Sequence, residues 1–365
     1  MAALQALENV TFSTCEVVSE NVTLENSTVT ITSFSPVLCG LSGLYPAWRP
    51  VVVFVLVCFI LLSIMGNGCL VGTIATRESM QEPGNFFLAA LAVTDVFSSL
   101  LFIPSSIHNT THGTYLSGAA CKTQAFLVCV VGSLAHSFLL CLWVCRYVHI
   151  VSPMKFEEKL SRPRIALAMG LSVIFAVLPP FIGVIRNGEV KVVSYHGANG
   201  MQVSPTSIYP CIPDLIEASV SSAICLATMI ISTIIAIFID REAQQHKENL
   251  KSLSPSPENS TDVVPPEVLE AKFKATKTLS IVLLIYWITW LPPIIMFFLS
   301  DIVSMSIFSV AQDVLHIVLL TNTFSDSLLY AFRYEIYRKA LVQMFRHCKN
   351  SIRDTILDYI EIILE

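Results

Sequence analysis

Residues 138–153, FLLCLWVCRYVHIVSP, run apolar for eight residues and then present Arg146 and Tyr147. A charged side chain in hydrocarbon is costly, so its depth in the membrane matters. Arg146 comes 25 residues after Cys121, which opens the same apolar block, and this separation is roughly 37 Å of helix. A helix of that length joins the two membrane surfaces. Arg146 therefore lies at the mouth of the structure, where either lipid phosphates or a partner protein can receive its charge.

Apolar blocks of similar length recur along the whole chain. Of its 365 residues, 54% are hydrophobic and 13% are charged, whereas about a quarter of a soluble domain is charged. The blocks lack the strict alternation of a membrane β-strand, so helices are the spanning structure that remains. We predict an all-α membrane protein, a seven-transmembrane helix bundle, with spans near 50–75, 86–107, 121–151, 164–186, 215–239, 276–300 and 305–332.

Basic residues are segregated between the two sides of this bundle. With the N-terminus outside, the exterior segments contain only four of the 22 Lys and Arg residues, namely Arg49, Lys122, Arg186 and Lys191. An excess of Lys and Arg marks the cytoplasmic side of membrane proteins. The distribution predicts a multi-pass protein of the plasma membrane, embedded in the lipid bilayer, with an extracellular N-terminus.

The N-terminal segment supports the same orientation. It contains the glycosylation sequons at Asn9, Asn21 and Asn26, and glycosylation requires an exterior location. No apolar segment precedes them, so we expect the first span to serve as the export signal. The predicted organisation is a glycosylated extracellular tail over 1–48, the bundle over 49–333, and an amphipathic helix with a cytoplasmic tail over 334–365.

Two cysteines on the predicted outer side form a candidate disulfide. Cys121 opens the third block, and Cys211 lies in the loop SPTSIYPCIPD before the fifth. Both face an oxidising compartment, which favours a bond between them. Cys15 and Cys39 form a second candidate pair on that side. Cys348 follows the last block among basic residues, where either palmitoylation or a free thiol is consistent with the sequence.

Motifs in the blocks resemble those of rhodopsin-like (class A) G-protein-coupled receptors. The similarity covers SIMGNGCLVG, NFFLAALAVTD, CRYVHIVSPMKF, YWITWLPP and FSDSLLYAFRYEIYRKAL, in the order of the family. The last of these continues into a segment similar to the short amphipathic eighth helix that lies along the membrane. The residues at the family's motif positions are Asn67, Asp95, Arg146, Tyr147, Trp290, Pro292 and Tyr330.

The resemblance implies a receptor that signals through a heterotrimeric G protein, with arrestin as a further partner. It assigns coupling and activation to Arg146, Tyr147, Trp290, Pro292 and Tyr330. Proline removes a backbone hydrogen bond and kinks a helix, so Pro292 creates a hinge beside Trp290. Without the other motifs, a packing tryptophan beside a tolerated proline would explain the same residues.

Two carboxylates are expected deep inside the bundle. Asp95 lies about nine residues, or ~14 Å of helix, from the inner end of its span, and Asp326 lies at a similar depth. Two such groups facing one cavity share a proton or hold a cation; two separately hydrogen-bonded acids are the alternative. The resemblance implies the family's sodium pocket, with Asn322 as a further ligand, although Ala135 replaces the usual serine.

Several family residues are replaced in this chain. Cys145 takes the place of the acid before Arg146, Lys272 stands where many members carry an acid, and Ser327 replaces the proline of the seventh span. The fifth span lacks its usual proline and tyrosine. One interpretation is raised basal signalling, because both restraints on the arginine are lost. The other is a receptor-like protein that does not activate G proteins and acts as a decoy, a scavenger or a modulator of a partner receptor.

The predicted ligand pocket is apolar. The position of the aspartate of biogenic-amine receptors is occupied by Val128, so a cationic amine has no counter-ion there. Phe297, His316 and Leu320 line the upper faces of the last two spans. Such a pocket suits a lipid-like or small neutral ligand, and a peptide docked on the outer loops remains an alternative. His136 near the middle of the third span is either hydrogen-bonded to Tyr286 or satisfied by water.

Other functional classes lack support in the sequence. There is no His, Cys and acid cluster with metal spacing, no Gly-rich phosphate loop and no Ser-His-acid set, so we do not expect an enzyme. Repeated halves typical of transporters are missing, as is the lysine that a retinal-binding seventh span requires. The basic residues form no nucleic-acid face. Residues 240–275 are expected to extend the fifth and sixth helices around a Pro/Ser-rich centre.

Overall fold

The structure, a computed structural model, describes residues 17–24, 27–34, 48–112, 118–152, 156–187, 195–196, 202–203, 215–252, 266–299, 305–346 and 353. Within these residues, seven helical segments are long and apolar enough to cross a membrane. The first six are α1 (Arg49–Thr76), α2 (Pro83–His112), α3 (Gly118–Val151), α4 (Arg162–Asn187), α5 (Leu215–Ser252) and α6 (Pro266–Phe298). The protein is therefore a multi-pass membrane protein, as the sequence predicts.

The seventh span consists of two helices that meet at Thr321. These are α7 (Met305–Leu320) and α8 (Asn322–Arg333). The Thr321 N–H donates to the carbonyl of Val318 at 3.1 Å, which is a three-residue step, and the Thr321 and Thr323 hydroxyls donate to the carbonyls of Val318 and Leu320. Hydroxyls that occupy backbone carbonyls compete with the regular helical bonds. The break therefore lies one turn before Asp326, at the level of the predicted ion pocket.

The predicted helix extensions and the eighth helix are confirmed. Helix α5 continues to Ser252 and α6 begins at Pro266, so both run beyond the apolar blocks into the segment that joins them. A further helix, α9, covers 335–346 after Tyr334. Single helical turns over Glu78–Met80 and Phe156–Lys159 connect neighbouring spans.

The bundle is apolar on its outside, unlike a soluble domain, and its interior combines an apolar core with buried polar groups. Its outward faces expose large side chains such as Phe54, Leu167 and Phe332, which are 68%, 62% and 75% exposed. Its interior contains many buried hydroxyls and amides. Lipid is as apolar as these outer side chains, so burial of apolar area does not hold the helices together in the membrane. Interhelical packing and hydrogen bonds must do so.

Helix α3 is the central element of the bundle. It contacts α2, α4, α5 and α6, while α8 closes the ring by contacting α1, α2 and α6. The larger apolar core includes Leu91, Trp143, Met229 and Tyr286 and extends to Tyr337 in α9. A smaller cluster of Val52, Leu56, Ile103 and Leu320 lies towards the other end. We call the end that carries Arg146 and α9 the basic end of the bundle.

The N-terminal segment contains a strand pair that the sequence analysis did not predict. Strand β1 (Val17–Leu24) pairs antiparallel with β2 (Ser27–Phe34). The sequon residue Asn21 lies in β1, opposite Thr30, whereas Asn9 and Asn26 lie outside the described residues. A second short antiparallel pair joins β3 (Tyr195–His196) to β4 (Gln202–Val203).

Candidate functional site

One cavity of about 180 Å³ runs through the interior of the bundle. Three of the four predicted pocket residues, Val128, His316 and Leu320, line it, together with Pro293 and Ile294. The side chain of Phe297 lies outside the described residues. The described upper wall is thus largely apolar, and Trp290 and Asp95 line the same cavity.

Helix α5 contributes polar groups that the sequence analysis missed. Ser221 and Ser222 line the cavity beside Cys225, and Ser133 and Cys129 face it from α3. These small residues occur at helical spacing in an otherwise apolar run, which is also what close helix packing requires. Spacing alone therefore could not distinguish a cavity wall from a helix–helix contact.

Two hydrogen bonds between helices lie near His316. The Ser106 hydroxyl bonds the Nε2 atom of His316 at 3.0 Å and so joins α2 to α7. The Gln124 amide donates to the Ser105 hydroxyl at 2.8 Å and joins α2 to α3. All four side chains are buried. His316, the titratable group predicted for this pocket, is held in place rather than left to rotate.

The deep end of the cavity carries the predicted ion-pocket residues. Asp95 and Asn322 line the cavity, and Asp326 lies next to Asp95, with which it interacts electrostatically. Both carboxylates are almost completely buried. Within the described part of the chain, one oxygen of Asp95, both oxygens of Asp326 and both amide atoms of Asn322 have no hydrogen-bond partner. Buried polar atoms are nearly always satisfied, and oxygen donors are what a hard cation takes. This donor set fits a sodium ion.

The motif asparagine clamps α1 to the last span. The Asn67 amide donates to the Thr323 carbonyl at 2.6 Å, and the Ser63 hydroxyl donates to the same carbonyl at 2.8 Å. One residue earlier on α1, Gly66 packs so closely on Ser327 that a Cβ atom would collide with the Ser327 hydroxyl.

Trp290 lies in a tightly packed aromatic site. Its ring is 4.6 Å from the His136 ring, at 84°, and the His136 ring is 5.2 Å from Tyr286. A Cβ atom on Gly132 would approach the Trp290 ring to 2.9 Å. The His136 Nδ1 atom bonds the Gly132 carbonyl at 2.8 Å. Of the two alternatives for His136, the hydrogen bond to Tyr286 is not found among the described residues, where the two rings meet edge to face; satisfaction by water stays a prediction. Pro292 and Pro293 lie inside α6 just beyond this site.

Arg146 lies half-buried at the basic end. Among the described residues, the Arg146 guanidinium forms no ion pair. The salt bridge described at this end of the bundle joins Lys339 to Glu335. Cys145 is buried in the core and supplies no carboxylate, as its identity predicts. Tyr147 is 42% exposed and points away from the core. The local restraint on the arginine is therefore missing.

Three tyrosines pack together beside Arg146. Tyr330 stacks on Tyr334 with ring centroids 5.7 Å apart, and both contact Tyr337 edge-on at 6.1 Å. Arg146 interacts electrostatically with Tyr330 and Tyr337. Burial raises the pKa of Tyr337, and the nearby guanidinium opposes part of that shift. The motif tyrosine thus joins the seventh span, α9 and Arg146 in one aromatic cluster.

The family of 7 transmembrane receptors (rhodopsin family) matches residues 66–330 of the chain. The chain belongs to this family. Among its relatives, trace amine-associated receptor 9 of Rattus norvegicus is 24% identical over 308 residues, which are 81% of this chain and 88% of that receptor. Trace amine-associated receptor 7d of Mus musculus is 25% identical over 290 residues, 77% and 78% of the two chains. The protein is accordingly a receptor-family member and not an enzyme.

Part of the predicted site lies outside the described residues of the receptor. Cys121 forms a disulfide, but its predicted partner Cys211 is not among the residues described, so the pairing stays a prediction. Cys15, Cys39 and Cys348 also lie outside the described residues, and the side chain of Lys272 is not described. The predictions for these four residues stay predictions. Asp95, Trp290, Arg146 and Tyr330 all lie within the described residues.

Proposed function

We propose that this receptor lies in the plasma membrane with its N-terminus outside, binds an extracellular ligand in the bundle cavity, and activates a heterotrimeric G protein at the basic end. Arrestin would bind at the same end. The observation that carries the proposal is Arg146, a half-buried cation with no ion-pair partner among the described residues. An unpaired charge at a protein surface favours association with a partner of opposite charge. The excess of basic residues on this side supports the orientation.

The ligand that fits the cavity best is lipid-like or a small neutral molecule. The names of the relatives above refer to trace amines, yet Val128 lies on the cavity wall here. Within the described lining, Asp95 at the deep end is the one carboxylate. A buried cation without a counter-charge is strongly disfavoured. The serines of α3 and α5 offer hydrogen bonds to a hydroxyl or carbonyl group of a neutral ligand.

We expect 2-phenylethylamine to leave the melting temperature of the purified receptor unchanged at micromolar concentrations. The Val128→Asp variant should gain an amine-dependent rise, because a carboxylate then faces the cavity. Thermal unfolding at increasing amine concentration measures the melting temperatures of the unmodified receptor and of the Val128→Asp variant. The uncharged control ligand is 2-phenylethanol. An amine-dependent rise at submicromolar concentration in the unmodified receptor would show that the ligand class is wrong.

A sodium ion held by Asp95, Asp326 and Asn322 is the second part of the proposal. The ion would neutralise two buried carboxylates and so stabilise the packed bundle. Ligand binding to the folded state raises stability by about 1.4 kcal/mol at ten times the dissociation constant. The unpartnered oxygen atoms of the two carboxylates support this site.

We expect the receptor to melt at a higher temperature in sodium chloride than in N-methylglucamine chloride of equal ionic strength. Asp95→Asn should remove this difference, because the deep end then carries one charge less. Asp240→Asn is the control, since Asp240 is an exposed carboxylate on α5. An equal sodium effect in the unmodified receptor and in Asp95→Asn would exclude the site.

Raised basal signalling is the third part of the proposal. With Cys145 in place of an acid, the inactive position of Arg146 lacks its local ion pair, and the conformational equilibrium shifts towards the active state. Cys145→Asp restores a carboxylate next to the arginine, so we expect lower basal nucleotide exchange on purified G proteins. Cys145→Ser is the uncharged control. Background-level exchange in the unmodified receptor, unchanged by Cys145→Asp, would favour the decoy, scavenger or modulator function instead.

A further inference from the structure

The hydrogen-bond geometry of His136 determines which of its nitrogens carries the proton. A carbonyl oxygen can only accept, so the 2.8 Å bond to the Gly132 carbonyl places a hydrogen on Nδ1. His136 is 1% exposed and has no carboxylate within ion-pair distance among the described residues. A buried imidazolium without a counter-ion is costly, so the ring is neutral. Its Nε2 atom is therefore a hydrogen-bond acceptor.

This acceptor lies next to a donor that also lacks a partner. Within the described chain, neither His136 Nε2 nor Trp290 Nε1 has a hydrogen-bond partner. The indole N–H can only donate, and the two rings are 4.6 Å apart between centroids. Leaving each group unsatisfied would cost about 1–3 kcal/mol. The donor and the acceptor are complementary, and they belong to neighbouring rings.

The surroundings provide what a bridging water needs. A buried water takes two to four polar partners and sufficient room. Trp290 borders the 180 Å³ cavity, and His136 lies behind this border in ring contact with Trp290. The Ser133 hydroxyl and the Asn322 amide, which line the same cavity from two other helices, also lack partners among the described residues. Among the described residues, the rings of Tyr286 and Trp290 both contact the His136 ring edge-on.

We propose that a single water joins the Trp290 N–H to the Nε2 atom of His136, so that His136 is the positioning residue that holds Trp290 in its resting orientation. Gly132 makes the arrangement possible in two ways. Its carbonyl fixes the tautomer of His136, and its missing side chain leaves room for the far edge of the Trp290 ring. An aliphatic residue at position 136 could fill the space but could not accept this bond.

The water bridge would affect receptor activation because Trp290 is the tryptophan of the proposed activation switch. This effect on activation rests on the proposed function. A ligand that enters the cavity reaches Trp290 before it reaches Asp95. Movement of Trp290 then breaks the water bridge to α3, which gives the switch a defined resting state. Loss of the acceptor should therefore release Trp290 and change basal output, while leaving the clamp between α1 and α8 intact.

A double-mutant cycle on the full-length receptor in nanodiscs tests the bridge directly. His136→Phe keeps a ring but removes both nitrogens. Replacing Trp290 with β-(3-benzothienyl)alanine exchanges the N–H for sulfur with little change in shape. We expect each change to lower the melting temperature by a few degrees and the combination to lower it no further than the larger single effect. Additive losses would overturn the proposal.

Trp287 provides a matched control. Its N–H already donates to the Thr233 hydroxyl at 3.0 Å, so the same benzothienyl replacement at 287 removes a bond that does not involve His136. That change should be additive with His136→Phe. If the Trp287 replacement coupled to His136→Phe as strongly as the Trp290 replacement does, the proposal would also be overturned. The coupling would then be a general effect of indole replacement.

The indole N–H resonances give a readout that packing alone would not move. His136→Phe should shift the Trp290 N–H signal upfield and accelerate its hydrogen exchange, while the Trp287 signal stays in place. If His136→Phe does not fold, the Trp290 N–H signal of the unmodified receptor decides. A bridged N–H gives a downfield signal and exchanges slowly. An upfield signal with rapid exchange would reject the bridge. Basal nucleotide exchange is measured separately, so failure of G-protein coupling cannot be confused with absence of the bridge.

Discussion

Replacing Arg146 by glutamine is expected to reduce basal nucleotide exchange on the receptor's G protein by about tenfold or more. Loss of a desolvated charge at an interface costs about 2–5 kcal/mol, and each 1.4 kcal/mol is a factor of ten. Glutamine keeps a polar side chain at the position. Because Arg146 has no ion pair among the described residues, the folded state should lose little, and cell-surface amount and melting temperature should change little.

Arg338→Gln is the matched control for charge. Arg338 is an exposed cation on α9 at the same end of the bundle, so its replacement lowers the net positive charge by the same amount without touching the mouth of α3. Exchange is measured on purified G proteins of each class with equal receptor amounts. Equal reductions in both variants would mean that general attraction, rather than Arg146, carries the coupling.

The fold could be predicted from the sequence because a membrane restricts the possibilities. A backbone in lipid must satisfy its own hydrogen bonds, so a long apolar block is a helix. The distribution of Lys and Arg then predicts the orientation of the bundle. The same reasoning could not find the break at Thr321, since Thr in an apolar block fits a regular helix equally well. Nor could it find strands β1 and β2, whose Ser/Thr-rich sequence is also that of an unstructured tail.

The residues of the candidate site also fall into two groups, those that the sequence alone identifies and those that it does not. Side chains whose chemistry is costly in a membrane, such as Asp95, Asp326 and Arg146, could be found individually, because their burial demands an explanation. Residues whose role depends on a neighbour could not. Gly132 matters because Trp290 occupies the space beside it, and the tautomer of His136 depends on a carbonyl one turn away. Those relations exist only once the helices are packed.

The cavity wall on α5 shows why the position of a residue matters more than its type. Ser221 and Ser222 are ordinary small residues in a transmembrane helix, where they usually serve close packing. They line the cavity because α5 packs along α3. The sequence predicted the apolar residues of the pocket from α6 and α7, where motif positions define the helix phase, and missed α5, where the motif proline and tyrosine are absent.

Replacing Gly66 by alanine is expected to lower the stability of the receptor by about 1–3 kcal/mol, the usual cost of overpacking. The new Cβ atom would collide with the Ser327 hydroxyl and approach the Ser327 Cβ to 3.1 Å. The helices cannot simply separate, since Asn67 and Ser63 both hold the Thr323 carbonyl. Thermal unfolding and the fraction of receptor at the cell surface measure the loss.

Gly68 and Gly72 on the same helix are matched controls, because a Cβ atom at either position would meet nothing within 4 Å. Alanine at these two positions should leave stability unchanged or raise it by about 0.5–1 kcal/mol through reduced backbone entropy of the unfolded chain. Ser327→Gly should rescue Gly66→Ala, since it removes both colliding atoms. If Gly66→Ala were as stable as Gly68→Ala, α1 and α8 would not pack at the distance found here. The clamp of Asn67 on Thr323 would then have to tolerate a wider separation than a 2.6 Å hydrogen bond allows.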